Sequence, residues 1–458
     1  MSSTHPAGID ATRSDATKLE RRAPAGPAAI DRTAVGALAA ERLGWSDKAV
    51  PPGWWGRTVA DVRAARPGLS ELPTPVLTLS EAALRHNLAT MARWSAERGL
   101  DLAPHGKTTM APALWAAQLE AGAWAITVAN PAQLAVARAF GVSRVLVANE
   151  VVAADALRWI QAGLTGGSDV VSGGSEVVVW ADSVRGVELM NAALDPAGPP
   201  LDVLVEVGAD GGRSGARDRR TAVEVARAVA AAPALRLAGV AGYEGILARD
   251  ASAAGLDRVR SYLTELVAVH TELGGLYPSG VVPIVSAGGS AYFDQVAEVL
   301  GPLATDRARV VVRSGTYLTH DDGLYDAVSP LGRRPRTTGE RLRPALHAWA
   351  RVLSQPEPGL ALLDAGRRDV PYDSGLPEPQ LVRQRRADLT GATVDAVNDQ
   401  HAYLRYPPDG EAPVQVGDVV RLGVSHPCTA FDKWGLIPVI DDASAPAPVV
   451  VDLIRTFF

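Results

Sequence analysis

Eight apolar runs of strand length recur between Asp101 and Val312, separated by longer stretches of helical pattern, and this alternation restricts the chain to folds built on a parallel sheet. The runs are Asp101-Leu102-Ala103, Ala125-Ile126-Thr127-Val128, Val145-Leu146-Val147, Val177-Val178-Val179-Trp180, Val203-Leu204-Val205-Glu206-Val207, Leu237-Ala238-Gly239-Val240, Val282-Pro283-Ile284-Val285 and Val310-Val311-Val312. Amphipathic stretches lie among them: Ala111 to Ala121, Pro131 to Phe140, Ala153 to Ala162, Arg219 to Ala231 and Asp257 to Leu273. Eight such units over about 215 residues predict a (β/α)8 TIM-like barrel. A doubly wound open sheet is the competing fold, weakened by the lack of a Gly-x-Gly-x-x-Gly turn after the first strand.

Beyond about Arg336 the helical rhythm stops, and short β-rich segments take over, such as Ala345 to Leu353, Leu360 to Leu363, Ala392 to Val394 and Val419 to Leu422. The predicted organisation is therefore a disordered tail over 1–27, an N-terminal extension over 28–72 with a short helix from Asp31 to Arg42, a barrel over 73–335 and a mostly-β C-terminal domain over 336–458. Pro75-Val76-Leu77-Thr78-Leu79 is one strand too many for the barrel and is expected between the two domains.

Composition narrows the function. With 47% apolar and 21% charged residues and a formal net charge of −6 without long single-sign runs, the chain shows neither a nucleic-acid footprint nor a polybasic membrane patch. No apolar stretch reaches the roughly 18 residues needed to span a bilayer, and no secretory signal is read at the start. A cytoplasmic, small-molecule enzyme is expected. Cys428, the only cysteine, excludes an internal disulfide framework.

Barrel active sites lie at the C-terminal ends of the strands. Lys107 follows the first strand in Ala103-Pro104-His105-Gly106-Lys107-Thr108-Thr109. A lysine is ordinarily a solvated charge. At a barrel mouth, among small polar residues and the ring of His105, it is a candidate Schiff-base former once burial or nearby cations lower its pKa. Ser286-Ala287-Gly288-Gly289-Ser290 follows the seventh strand and Arg313-Ser314-Gly315-Thr316-Tyr317 the eighth, the two loops where barrel phosphate sites recur. After the fifth strand, Arg213 sits in the glycine-rich Gly208 to Gly215; after the sixth comes Tyr243, which could equally be a packing aromatic. In the second domain, Ser425-His426-Pro427-Cys428-Thr429 places imidazole and thiolate at i and i+2, on one side if the chain is extended. Zinc matches such donors, and two protein ligands leave the open positions a catalytic Lewis acid needs.

These residues resemble the D-serine dehydratase and D-threonine aldolase group, pyridoxal-phosphate (PLP) enzymes of the alanine racemase fold type, over about Pro73 to Ile440. The segment Pro104-His105-Gly106-Lys107-Thr108-Thr109-Met110-Ala111-Pro112 is most similar to bacterial members labelled D-serine deaminase-like. The resemblance implies that Lys107 carries the cofactor as an internal aldimine and that Arg213 lies near its phenolic oxygen. Tyr243 or Arg313 would face the pyridine nitrogen, Tyr243 being preferred, while Ser286, Gly288, Gly289, Gly315 and Tyr317 would cradle the phosphate. His426 and Cys428 match the dehydratase form of the metal pair; the aldolases resemble it with Asp in place of Cys. Gln400-His401-Ala402 departs from the family's Glu-His-Gly, leaving His401 a weak candidate. A zinc-assisted dehydration of a D-3-hydroxy amino acid such as D-serine is expected, with retro-aldol cleavage, racemisation and non-catalytic PLP binding as alternatives, in a head-to-tail homodimer.

Overall fold

The structure is a computed structural model that describes residues 26–165, 175–305, 307–409 and 411–458. The tail expected over 1–27 lies outside the described residues except for its last two. A first strand, β1 (Val76–Ser80), precedes the barrel strands β2 (Asp101–Leu102), β3 (Ile126–Val128), β4 (Arg144–Glu150), β5 (Glu176–Ala181), β6 (Leu201–Val207), β7 (Leu235–Gly242), β8 (Ile284–Ala287) and β9 (Arg309–Val312). All eight predicted barrel runs are strands. They pair in parallel in the order β2-β9-β8-β7-β6-β5-β4-β3, and a parallel bridge between His105 and Thr127 joins the two ends of the sheet.

Side chains on these strands alternate between two apolar cores. Val203, Val205 and Val207 join the outer core beneath the helices, whereas Leu204 packs inside the barrel with Ala103, Leu146, Trp180 and Val311. Helix starts carry recognisable caps. Asp218 accepts from Thr221 N at the head of Arg219–Ala231, and Asn130 accepts from Gln133 N before Pro131 at the head of Pro131–Ala139. Three barrel helices not predicted from sequence, Glu81–Ala96, Val184–Ala193 and Phe293–Val299, complete the outer layer.

The second sheet is built from β10 (Leu346–Glu357), β11 (Leu360–Leu363), β12 (Glu378–Val382), β13 (Ala387–Asp388), β14 (Thr393–Val397), β15 (Ala402–Arg405), β16 (Val419–Gly423), β17 (Leu436–Ile440) and β18 (Val450–Arg455). Its main order is β13-β12-β16-β10-β1-β17-β18. Strand β1, expected between the domains and inside the 73–335 segment, is thus an interior strand of the second sheet, antiparallel to β10 (Val76 opposite Trp349) and parallel to β17 (Leu79 opposite Val439). The N-terminal extension covers one face of this sheet: Leu43, Trp54, Val62 and Leu69 pack on Val76, Trp349, Val419 and Leu453. Arg455 fixes it with bonds to Glu41 (2.8 Å) and Asp47 (2.9 Å). Its helix runs over Arg32–Ala37 with a 3-10 turn to Ala40, shorter than the predicted Asp31 to Arg42. Among the described residues no helix is long and apolar enough to cross a membrane.

Candidate active site

A cavity of ≈ 440 Å³ opens at the C-terminal mouth of the barrel, and the second domain closes one side of it with His426 and Cys428. Lys107 stands on the 3-10 turn Gly106–Thr108 directly after the His105–Thr127 bridge. Glycine is needed before it, because a Cβ on Gly106 would come within 2.8 Å of Trp115 Nε1. Burial lowers Lys107 from the ordinary lysine value of 10.5, the cations of Arg213 and Arg313 add to this, and the Cys428 sulfur opposes it. Desolvation, and then the cations of Lys107, Arg313 and Arg213, hold His105 well below 6.5. Its ring is therefore neutral, and its Nδ1 is buried without a hydrogen-bond partner.

Arg213 stacks over the Tyr243 ring, guanidinium to centroid 4.9 Å. Burial and the Glu244 carboxylate raise the Tyr243 phenol, so it stays protonated. Arg313 is fixed from behind: Nη1 donates to Ser286 Oγ at 2.5 Å, Nη2 to Gly242 O at 2.6 Å, and the guanidinium lies over Trp180. Ser286 Oγ in turn donates to Val311 O, so Ser286 lies beneath the cavity wall as a support for Arg313. Tyr317 is also outside the cavity, its hydroxyl bonded to Gln118 at 3.3 Å, and Thr316 takes its place in the lining. His401 does not line the cavity either.

Gly288 and Gly289 do line it, but their N–H groups donate to Glu244 at 3.0 and 2.7 Å. Glu244, fully buried, was not singled out from the sequence. The backbone N–H groups of Ser290, Gly315 and Thr316 find no acceptor among the described residues and remain available to an anion. A Cβ on Gly315 would lie 2.5 Å from His105 O, so only glycine lets this loop approach the lysine turn. A cavity of this volume, bounded by an amine of lowered basicity, a neutral imidazole, two guanidinium groups and three free N–H donors, fits pyridoxal phosphate.

The His-Pro-Cys element differs from the extended chain expected. His426 has φ 58, and Cys428 opens the short helix Cys428–Phe431. The left-handed backbone is held by tertiary bonds: His426 N donates to the buried Asp321 (3.0 Å), and Ser425 Oγ donates to Ser374 O (2.8 Å). The two side chains still converge. A hydrogen bond to Cys428, and then the Asp373 carboxylate, push His426 up to about 9. Asp373, also not foreseen, binds His426 Nδ1 through one oxygen and accepts from Thr429 Oγ1 at 2.6 Å through the other. Cys428 Sγ lies 3.4 Å from Thr108 Oγ1, one residue from Lys107. Imidazole and thiolate donors with a carboxylate behind the imidazole fit a zinc ion, the carboxylate orienting the ring as in other histidine-ligated metal sites.

Residues 79–293 match the family described as "Alanine racemase, N-terminal domain", and residues 345–440 the one described as "Putative serine dehydratase domain". The D-threonine aldolase of Arthrobacter sp is 27% identical over 395 residues, 84% of this chain and 94% of that protein. Among solved structures, D-threonine aldolase from Filomicrobium marinum has a TM-score of 0.70 at 26% identity, covering 85% of this chain and 97% of its own. D-threo-3-hydroxyaspartate dehydratase from Delftia sp. HT23 shares the fold, with a TM-score of 0.66 at 22% identity over 86% of this chain and 99% of its own. With both family models matched in sequence order, the chain carries an alanine racemase N-terminal domain followed by a putative serine dehydratase domain, in an alanine racemase-like fold, and is similar to the D-threonine aldolases.

Proposed function

We propose that the protein is a PLP- and zinc-dependent ammonia-lyase that dehydrates a D-3-hydroxy amino acid such as D-serine to a 2-oxo acid and ammonia. The observation that carries this reading is Cys428, whose sulfur stands with His426 in one cavity with Lys107, where the aldolase form of the motif has Asp. When bound, PLP supplies an electron sink for charge developing at the substrate Cα, and zinc a Lewis acid for its β-hydroxyl. Lys107 Nζ, made less basic by burial and by Arg213 and Arg313, accepts the Cα proton. His426 and Cys428 line the same cavity from the second domain and would hold the metal that assists the departure of hydroxide. Neutral Tyr243 and His105 bring no charge of their own to the cavity. Water is lost across Cα–Cβ and then regained in hydrolysis, so the net products are the 2-oxo acid and ammonia.

Retro-aldol cleavage is the second reading, favoured by the aldolase activity named for the relative that is 27% identical. It breaks Cα–Cβ and yields glycine and an aldehyde. Incubation of the zinc-loaded enzyme with D-serine, D-threonine and D-threo-3-hydroxyaspartate separates the two. Ammonia with the matching 2-oxo acid is expected; glycine with an aldehyde as the main products would replace dehydration by aldol cleavage, and neither pair would sink both.

Asp373 gives a test of the metal assignment. Asp373→Asn keeps the size of the side chain but removes the charge against His426 Nδ1, and is expected to weaken zinc retention about 10- to 100-fold. Competition with a chelator, followed by metal analysis, reads this directly. Unchanged retention would make the Asp373 contact irrelevant to the metal.

A further inference from the structure

Three neighbouring barrel strands end in acids. Glu150 closes β4, Asp182 follows β5 and Glu206 lies near the end of β6. Trp180 and Leu204 point into the barrel, so Glu206, two residues further along β6, points the same way; Asp182 stands directly after the end of β5, and Glu150 is the register partner of Trp180. One ligand oxygen from each acid lies within 4.8 Å of those of the other two. None of the three is ion-paired with a described residue. Close carboxylates repel one another, and burial strengthens the repulsion.

A second observation points to a missing occupant. Glu206 is only 4% exposed, yet its Oε2 has no hydrogen-bond partner, and Glu150 Oε1 is buried and equally unbonded. Such oxygens are costly to leave bare. We propose that Glu150, Asp182 and Glu206 bind a hard divalent cation of the magnesium, manganese or calcium class, at a site distinct from His426 and Cys428. The all-oxygen donor set contrasts with the nitrogen and sulfur of that pair and selects a harder ion. Ligand atoms no more than 4.8 Å apart can share one ion at the roughly 2.0–2.6 Å these metals require. Asp182 Oδ2 also accepts from Gly215 N at 3.0 Å, in the loop that carries Arg213, so the ion anchors one wall of the active-site cavity.

The test uses PLP-loaded enzyme carrying His426→Ala and Cys428→Ala, which removes the other donor set, titrated with Mn²⁺ alone. Bound ion is counted by its paramagnetic resonance. One Mn²⁺ per chain is expected, with affinity falling at least tenfold on adding Glu206→Gln. Thermal unfolding in chelator checks that the substitution leaves the fold intact. Asp182→Asn, at a less buried position, carries the same expectation if Glu206→Gln folds poorly. No bound Mn²⁺ in the parent, or an affinity unmoved by these substitutions, overturns the site and leaves carboxyl groups sharing a proton.

Discussion

Alanine at position 107 is expected to cut ammonia release by about 10⁴-fold or more, the upper range for removing a positioned general base. Among the residues lining the cavity there is no other lysine to replace it, and the guanidinium groups of Arg213 and Arg313 offer no acceptor. The visible absorption of the lysine-linked cofactor should vanish as well. Fold and unfolding midpoint should be retained, since Lys107 stands on a short turn at the cavity edge. A Lys107→Ala enzyme with near-native turnover would remove the lysine from the chemistry. The pH profile has a predicted sign. Burial, Arg213 and Arg313 all disfavour the charged ammonium, so kcat should rise with pH along a limb lying below 10.5. Arg213→Met removes one of the two cations and should move that limb to higher pH; an unmoved limb would show that Arg213 does not set it.

The features legible in the sequence are those written locally. The eight barrel strands were readable because each is an apolar run of strand length, and the helix Arg219–Ala231 because its apolar residues recur at helical spacing. Lys107, His426 and Cys428 were readable because each sits in a short segment of unusual composition. The helix Glu81–Ala96 was not foreseen although Leu84, Leu88, Met91 and Trp94 follow helical spacing; what the sequence does not disclose is that the strand just before it pairs with β10, some 270 residues away. Glu244 and Asp373 were invisible for a related reason. An isolated acid is ordinarily a solvated charge, and only tertiary structure brings Glu244 under the N–H groups of Gly288 and Gly289, or Asp373 against His426. The turn at His426 has a local half and a distant half. Pro427 keeps its predecessor out of the right-handed helical region, but the left-handed choice is held by Asp321, whose contact lies over a hundred residues away in sequence.

Substituting Cys428 is expected to have the next largest effect and to separate the two readings of the reaction. Cys428→Ala removes the sulfur donor of the pair, leaving His426 and the carboxylate behind it. Zinc should then be lost on dialysis, and with it the several kcal/mol a Lewis acid contributes to expelling hydroxide, about a 10³-fold fall in ammonia release. PLP binding should survive, because the hydrogen bond between Cys428 and the lysine turn goes to Thr108 and not to Lys107 itself. Cys428→Asp restores a second ligand of harder character, so metal should return with manganese favoured over zinc relative to the parent. If the choice between breaking C–O and breaking Cα–Cβ follows the metal, this variant should release glycine and an aldehyde from D-threonine while ammonia release stays low. A Cys428→Ala enzyme that keeps its zinc and its ammonia release would place the metal elsewhere and end the case for metal-assisted dehydration at this site.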